Sequence, residues 1–539
     1  MTSPSDESDP PPSNADKAGF RPLRIWPPLF LMAGMVLFRY LPNLIEDGPS
    51  MMWMFPAFGI MLCGLGILLW WLFASHATKR ERWLGLAGIV AAIGTTIAFV
   101  HPSMRGPATT MLTIPMATAG FALGTLLLFK RLTFQRTVVG MILAFLGAGF
   151  STLLRNDGMW GNFSPTYAWR WTPSSEDRLA RRTAFPLDLS SPADPQLFEK
   201  LNVPEWPGFR GPKRDGIHTG PPIHTDWQAR PPTLLWKIAV GPAWSSFAVA
   251  GDLLFTQEQR GNQETVFCYE AGTGNEVWQY AIEGRFDDPL GGPGPRATPT
   301  LNGDGLYVMT AQGWVARLNP RTGAEVWKQD LREVASRKPP MWGFCSSPLV
   351  IDSLVIVYAG GDGDKGTLAF DKESGNLRWS SPAGKQSYAS PHLVTILGEN
   401  LIALSTDLGL DLLEPTTGKV RLAYEWKHKG YRSVQPIMIG EDSAIIPTGL
   451  GTGTRRIRFS KNGDNLTAEE MWTSRRLKPD YNDCVLYQGN LYGFDDSIFT
   501  CINAETGERQ WKAGRYGKGQ VLLLEKSGVL LIASERGEL

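Results

Sequence analysis

The sequence predicts an N-terminal α-helical transmembrane domain followed by an all-β propeller of seven or eight blades. Two observations carry this prediction: five apolar spans occupy the first third of the 539-residue chain, and one turn motif recurs through the remainder. The formal net charge of +1 gives no field that would attract nucleic acid. The predicted domains are a disordered cytoplasmic tail at 1–24, the helical membrane domain at 25–154, a linker at 155–204 and the propeller at 205–539.

The apolar spans are each about as long as a helix must be to cross ~30 Å of hydrocarbon. None contains a central acid or a paired charge, so we expect a helical anchor rather than a quinone pocket or a transport route. The tail before them is rich in Pro, Ser and Asp, which is typical of disordered segments. The spans cover approximately 25–45, 51–74, 84–101, 109–129 and 137–154.

Basic residues between the spans predict the orientation, because loops rich in Lys and Arg stay in the cytoplasm. The loops on the opposite side hold Arg105 as their one Lys or Arg. We therefore expect a multi-pass protein of the inner (cytoplasmic) membrane, with a cytoplasmic N-terminus and a periplasmic propeller. The basic residues on the predicted cytoplasmic side are Lys17, Arg21, Arg24, Lys79, Arg80, Arg82, Lys130, Arg131 and Arg136.

The recurring motif is seen most clearly in AFDKESGNLRW at 369–379, where an apolar strand, a polar turn ending in glycine and a second strand follow one another. Hairpin turns of this kind need a residue at positive φ, which glycine adopts without steric cost. A repeat every 40–50 residues is typical of propeller blades, and we expect each terminal Trp to pack between neighbouring blades. The other copies end at Trp278, Trp327, Leu422 and Trp511, with a degenerate copy ending at Trp472; the turn glycines are Gly274, Gly323, Gly375, Gly418 and Gly507.

A strand is predicted at Leu234–Ile238, which has no hairpin before it. In closed propellers an N-terminal strand often completes the last blade, so Trp236 is expected to take the role of a blade-end Trp there. The repeats amount to six full units and a cut one. We therefore expect the chain to be truncated at its C-terminus by about one blade.

Three sequence features together resemble the pyrroloquinoline-quinone-like (PQQ-like) β-propeller repeat family: WPGFRGPKRDG at 206–216, LLWKI at 234–238 and the glycine-turn hairpins ending in Trp. That family includes the outer-membrane assembly lipoprotein BamB and the quinoprotein alcohol and glucose dehydrogenases. The resemblance covers approximately residues 205–539. It implies the propeller fold, and for the function it leaves both scaffolds and enzymes open.

For the function, a non-catalytic scaffold or binding platform of the BamB-like kind is expected, with no cofactor. The alternative implied by the resemblance is a membrane-bound, glucose-dehydrogenase-like quinoprotein that uses PQQ with Ca²⁺ and passes electrons to quinone. Three features weigh against the enzyme: the propeller is short for that class, no vicinal Cys-Cys pair is present, and no cluster of Asp, Asn and Glu suggests a calcium cage. The expected partners are the lipid bilayer and either an extracytoplasmic protein or a small ligand, with no nucleic acid.

A second recurrence precedes the first strand of each blade and predicts a polar, net-positive funnel at one mouth of the propeller. Such a funnel suits an anionic or polyhydroxylated ligand; alternatively, Ser/Thr-Pro at these positions only begins a strand and satisfies backbone groups. Arg296 and Arg432 are the leading candidates, expected at a wet mouth with little packing. No catalytic residue and no metal site is predicted, and Glu258 and Arg260 are expected to form an ion pair at the rim. The predicted ligand-binding residues are Arg296, Ser347, His392, Arg432, Gln435, Asp483 and Lys518.

Overall fold

The computed structural model describes residues 21–41, 55–131, 134–161, 164–183 and 195–539. Most of the predicted tail, residues 42–54 with the adjoining ends of the first two predicted spans, and part of the predicted linker lie outside the described residues. The chain divides into two compact units, residues 1–172 and residues 173–539. Each unit is described by itself.

The first unit consists of helices that follow the five predicted apolar spans. Three of them are long and apolar enough to cross a membrane: Lys79–Phe99, Thr109–Leu127 and Gln135–Leu153. The other two are shorter in the part of the chain that is described. The α-helices are α1 Trp26–Tyr40, α2 Ile60–Leu69, α3 Lys79–Phe99, α4 Ile114–Leu127 and α5 Gln135–Phe150, and π-helical or 3₁₀ turns cover Phe55–Gly59, Trp70–Ala74, Pro102–Met104, Thr109–Thr113 and Ser151–Leu153.

Glycines allow α4 and α5 to pack with their backbones in close contact. A Cβ atom added at Gly120 would lie 2.3 Å from the carbonyl oxygen of Leu143, and one added at Gly124 would lie 2.6 Å from that of Val139. Helices in lipid associate through such small residues because no hydrophobic effect drives them together there. The packing of this helix pair therefore suits a membrane environment.

A hairpin of Leu154–Met159 and Pro165–Trp169 completes the first unit. It lies in the predicted linker, and the structure makes it part of the helical unit. Trp169 and the following Trp171 stack with their ring centroids 5.2 Å apart, and both are exposed. Exposed tryptophans beside apolar helices are typical of the membrane–water interface.

The second unit is a β-propeller-like array of antiparallel sheets that follow one another along the chain. Its described residues form six four-stranded sheets, each ordered from its first strand to its fourth, and one three-stranded sheet. We call the four-stranded sheets blades 1 to 6 and the last the seventh sheet. The apolar faces of neighbouring blades form the core; one cluster joins Phe255 and Val266 of blade 1 to Leu306 and Ala316 of blade 2. A sheet with two apolar faces needs a neighbour on each side, which explains the array.

The longest strands lie in blade 1, with three strands of eight residues, and in the outer hairpin of blade 5, with two strands of ten residues. Blade 1 contains Ala248–Ala250, Leu253–Arg260, Gln263–Glu270 and Glu276–Glu283; blade 2 contains Thr300–Asn302, Gly305–Met309, Trp314–Leu318 and Glu325–Asp330; blade 3 contains Leu349–Ile351, Leu354–Tyr358, Thr367–Asp371 and Leu377–Ser381. Blade 4 contains His392–Ile396, Glu399–Ser405, Gly409–Leu413 and Val420–Glu425; blade 5 contains Ile437–Ile439, Ser443–Thr448, Gly453–Asn462 and Asn465–Ser474; blade 6 contains Val485–Tyr487, Asn490–Asp495, Ile498–Asn503 and Arg509–Arg515. Smaller elements are helix α6 Ser175–Thr183, the 3₁₀ segments Pro195–Asn202 and Glu525–Ser527, the helix Leu331–Val334 and the strand pair Asp287–Asp288 with Gly292–Pro293.

The blade-end tryptophans pack against the turn glycines of the following blades, as predicted. The indole of Trp327 in blade 2 covers Gly375 of blade 3, where a Cβ atom would lie 2.6 Å from the ring, and Gly375 has a φ of +71°. Its indole N–H donates a 2.9 Å hydrogen bond to the carbonyl of Lys372 in the same turn. The same ring-to-glycine contact recurs in the pairs Trp236–Gly274, Trp278–Gly323, Trp379–Gly418 and Trp472–Gly507.

The prediction of a closing strand at Leu234–Ile238 is wrong for this structure, although Trp236 has the predicted role. These residues belong to no strand, and Leu234 and Leu235 are 75% and 78% exposed. The described residues give them no strand to pair with. The seventh sheet instead contains Ile217–His218, which pairs in parallel with Gln520–Leu524, and the latter pairs with Val529–Ala533.

Candidate functional site

The first strand of each blade is called its inner strand. Hydrogen bonds from one blade to the next connect the residues that lie just before the inner strands. The backbone N–H of Ser246 donates to Oγ1 of Thr298, the N–H of Thr298 to Oγ of Ser347, and the N–H of Ser347 to Oγ of Ser390, at 2.9–3.0 Å. Gln435 continues the series by donating from Nε2 to the carbonyl of Ser390. Ser347 and Gln435, both predicted ligand residues, are thus buried and hold blades together, which favours the strand-start interpretation of this motif.

The segment 206–218 runs along the inner strands of most sheets, and we call it the axial segment. It pairs with Val249 of blade 1 through Trp206 and accepts a 2.7 Å bond from the N–H of Leu301 in blade 2 at Pro207. Further along, the carbonyl of Lys213 accepts a 2.9 Å bond from the imidazole of His392 in blade 4. The remaining contacts are to blades 3 and 6 and the seventh sheet. A single segment that contacts the inner strands of six sheets, or the residues just before those strands, lies at their common axis.

Arg214 anchors the axial segment with a buried guanidinium. Its Nη1 donates to the carbonyls of Ser347 and Pro391, at 3.3 and 2.9 Å, and its Nη2 donates to that of Pro348. Burial lowers the pKa of Arg214 to about 9. Its backbone φ is +52°, and a left-handed conformation costs a non-glycine residue about 1–2 kcal/mol. The hydrogen bonds to these three carbonyls, which lie just before the inner strands of blades 3 and 4, offset the costs of burial and of the backbone conformation.

Arg210, also at positive φ, connects the axial segment to blade 6. Its Nη2 donates to the carbonyl of Cys484 at 2.6 Å, and its Nε lies 3.5 Å from the carboxylate of Asp483. Burial raises the pKa of Asp483, and Arg210 partly opposes that effect. In blade 4, burial and then the charges of Arg214 and Arg210 lower the pKa of His392 to about 4. The structure therefore brings the predicted residues His392 and Asp483 close to the axial segment.

Arg296 is buried between aromatic rings. Its Nη2 lies 2.6 Å from Oδ2 of Asp288, its other donors bond carbonyls of the loop 292–294, and its guanidinium lies over Phe286 at 5.1 Å. The expectation that this arginine is wet and little packed is wrong. The compact loop around Asp288, invisible as a pattern in the sequence, surrounds it.

Arg432 is only 1% exposed, which also corrects the expectation of a wet mouth. It donates to Oγ1 of Thr448, to the carbonyl of Thr406 and to that of Trp426, whose ring it also covers at 4.8 Å. Burial lowers the pKa of Arg432 to about 10. Lys518, the last predicted residue, donates to the carboxylate of Asp480. These cations are all engaged with groups of the protein.

The predicted pair of Glu258 and Arg260 exists, with Nη2 and Oε1 2.5 Å apart, but Glu258 is 2% exposed and therefore not at a rim. Glu258 accepts the N–H of Gly241 and so holds the chain that leads into blade 1. Burial raises the pKa of Glu258. This pair is part of the packing of the blade.

The helical unit contains a paired charge that the sequence reasoning missed. Arg136 donates from Nε and Nη2 to both carboxylate oxygens of Glu81, at 2.7 and 2.8 Å, and both side chains are fully buried. Glu81 also closes a capping box with Thr78 at the start of α3. Thr78-Lys-Arg-Glu81 is a capping-box pattern, and this was the available sequence signal. The pair lies at helix ends, not at the centre of a span.

The sequence reasoning also missed an aromatic cluster at the inner-strand starts. Trp244, Tyr388 and Tyr481 each stand four residues before the first residue of an inner strand, in blades 1, 4 and 6, and Arg296 occupies this position in blade 2. Trp342 and Tyr431 lie in the equivalent connections of blades 3 and 5. Trp244 and Tyr388 begin two copies of the recurrence that precedes the inner strands, so part of this signal is present in the sequence.

One family model, described as outer membrane protein assembly factor BamB, matches residues 227–333 and 263–513. These matches together cover more than half of the chain. The chain belongs to this BamB family of PQQ-like repeat proteins. No curated protein matches the chain.

Several solved structures resemble this BamB-family chain. BamB from Moraxella catarrhalis is 19% identical, with a TM-score of 0.39, over 53% of this chain and 78% of the other. A europium-containing methanol dehydrogenase is 11% identical, with a TM-score of 0.36, over 63% and 91%. The quinohemoprotein alcohol dehydrogenase from Comamonas testosteroni is 12% identical, with a TM-score of 0.30, over 67% and 80%.

Proposed function

We propose that this protein is a membrane-anchored, extracytoplasmic scaffold or binding platform of the BamB-like kind and that it catalyses no reaction. The observation that carries the proposal is the axial segment. The axial segment lies where the inner strands converge, and the guanidinium of Arg214 donates hydrogen bonds to three carbonyls there. A binding platform needs no free axis, because its partners can use the loops at the ends and sides of the blades.

The anchor in this proposal is the five-helix domain with a cytoplasmic N-terminus. The basic residues before α1, around the start of α3 and around the start of α5 support this orientation. Alkaline phosphatase fused after Lys200 should be active and the same enzyme fused at Arg82 inactive. A cytoplasmic reporter with the opposite requirement serves as the control. Activity at Arg82 and none after Lys200 would contradict the proposed orientation.

The alternative is a quinoprotein dehydrogenase, and the axial residues do not fit its cofactors. A flat quinone at the axis would have to displace the axial segment, with Trp206, Arg210 and Arg214. Calcium needs several oxygen ligands, yet the described residues contain no group of three or more His, Cys, Asp or Glu side chains that could hold a metal ion.

A reconstitution assay tests the proposal. The full chain in lipid nanodiscs is incubated with Ca²⁺ and PQQ, and dye reduction is then followed with glucose and with primary alcohols. We expect no dye reduction above the rate without PQQ, while an apo-glucose dehydrogenase reconstituted in the same buffer becomes active. PQQ-dependent turnover by this chain would overturn the non-catalytic proposal.

A further inference from the structure

Five of the aromatic side chains in the connections leading into the inner strands contact one another, in a group of three and a group of two, at the mouth of the propeller-like unit. We call them the mouth cluster: Trp244, Trp342, Tyr388, Tyr431 and Tyr481. Three of these connections place their ring at the same position relative to the inner strand, so the rings lie at one end of the unit. We infer that the mouth cluster binds a neutral oligosaccharide. This inference rests on the proposed non-catalytic binding role and names a ligand class for it.

The rings pack against one another. Trp342 lies edge-to-face on Tyr431 with centroids 4.4 Å apart, and Tyr388 contacts both of them at 5.3 Å. On the other side, Trp244 and Tyr481 meet at 5.5 Å and an interplanar angle of 86°. Rings in such contact leave no gap between them for an inserted side chain. They therefore present a platform rather than the pocket that a protein anchor residue needs.

Two cations at this mouth are already neutralised by carboxylates of the protein, and the guanidinium of Arg432 is fully engaged with Thr448 and two backbone carbonyls. Arg296 is paired with Asp288, and Lys518 is paired with Asp480. An anionic ligand would have to compete with carboxylates that are already in place. Charge recognition therefore does not favour an anion here, and of the two ligand classes expected from the sequence the polyhydroxylated one remains.

The groups that stay available are ring surface and phenol hydroxyls. Trp244 is 50% exposed, and its indole N–H donates a 2.8 Å hydrogen bond to the carbonyl of Gly291. The exposed part of the indole therefore offers apolar surface. The hydroxyls of Tyr431 and Tyr481 have no hydrogen-bond partner among the described residues and can donate or accept. A pyranose ring combines a flat C–H face with hydroxyls at its edge. Its chemistry matches this combination of ring surface and hydroxyls.

Ligand-observed saturation-transfer NMR on the full chain tests the inference. The chain is placed in nanodiscs, since maltoside or glucoside detergents would compete as sugars. The probes are maltotetraose, cellotetraose and chitotetraose, with tetragalacturonate as a charged probe and a leucine–proline octapeptide as a peptide probe. We expect at least one neutral tetrasaccharide to bind and the charged and peptide probes not to bind. Binding by the charged or peptide probe alone, or by no probe, overturns the inference.

Substitutions locate the binding. The double variant Trp244→Ala/Tyr481→Ala should weaken oligosaccharide binding by about tenfold or more, because it removes two aromatic rings and one hydroxyl. Trp511→Ala is the matched control: it removes a Trp that is 42% exposed in the same unit, and affinity should stay within about twofold. An equal loss in both overturns the assignment. Should the double variant misfold, Trp244→Phe/Tyr481→Phe replaces it, and unchanged affinity in that variant contradicts the inference.

The two proposals fail separately. Absence of oligosaccharide binding leaves the non-catalytic role standing, whereas PQQ-dependent activity contradicts that role whatever the sugars do.

Discussion

Trp278 of blade 1 lies directly on Gly323 of blade 2: a Cβ atom at Gly323 would be 2.6 Å from Cε3 of the indole, whose N–H donates to the carbonyl of Pro320 at 2.9 Å. One turn residue thus has two requirements, a φ of +71° and no side chain. Because the same contact between a tryptophan and a turn glycine recurs from blade to blade, we infer that it fixes neighbouring blades to one another.

Gly323→Ala should destabilise the second unit by about 2–4 kcal/mol, through backbone strain and an overpacked indole. Gly303→Ala in the same blade is the matched control, since Gly303 has a φ of +60° and nothing within 4 Å of its Cβ position. It should cost about 1–2 kcal/mol from strain alone. Urea unfolding of the full chain, followed by near-UV circular dichroism, measures both. Equal losses would show that the tryptophan contact contributes nothing.

Arg214→Met should destabilise the second unit by at least about 3 kcal/mol, because it leaves the carbonyls of Ser347, Pro348 and Pro391 without this donor. Lys213→Met changes the exposed neighbouring cation and should stay within about 0.5 kcal/mol. The same unfolding experiment compares them. A neutral effect of Arg214→Met would mean that the axial segment is not held by its arginine.

His392 should make the stability of the second unit depend on pH. Burial and the charges of Arg214 and Arg210 lower its pKa from 6.5 to about 4. Between pH 6.5 and pH 4, His392 binds a proton in the unfolded chain but not in the folded chain. The stability that depends on neutral His392 is therefore fully present above pH 6.5 and is lost as the pH falls towards 4. The loss is on the order of 3 kcal/mol. Unfolding at several pH values, with His392→Gln as comparison, should show this extra acid loss in the native chain only. Parallel profiles would contradict the burial of a neutral imidazole.

Glu81→Gln should destabilise the helical unit by about 3–5 kcal/mol, because it leaves the guanidinium of Arg136 buried without its carboxylate. Arg80→Met, at the exposed neighbouring position, is the control. The thiol of Cys63 is buried in this unit. Its labelling by a maleimide dye as the temperature is raised measures the unfolding of the unit. The double variant Glu81→Gln/Arg136→Met should recover part of the loss. If Glu81→Gln melts like the control, the pair is not a structural one.

The sequence predicted the blades well because their signal is local. Each turn glycine and blade-end Trp is part of a short motif, and the contact between Trp327 and Gly375 follows from repeating that motif. The site was predicted less well because burial at the axis depends on a segment distant in the chain. Nothing near Arg432 or His392 in sequence indicates that residues 206–218 line the inner strands.

Arg296 is a second example of a site residue whose surroundings could not be predicted from the sequence. A cation before a strand at a channel mouth suggests an anion site, yet Asp288 and three carbonyls of its own loop bind it. Whether such a cation is free depends on loop conformation, which composition does not encode. Ligand binding by the seven residues predicted from the sequence therefore remains a prediction. The mouth cluster offers a more accessible surface than the buried Arg296 and Arg432.

The central claim, that the axis is occupied by the protein itself and takes no quinone, is tested most directly by equilibrium dialysis of PQQ against the full chain with excess Ca²⁺. We expect the native chain to retain no PQQ above the amount retained by empty nanodiscs. Retention of one PQQ per chain that disappears when Ca²⁺ is chelated would contradict it.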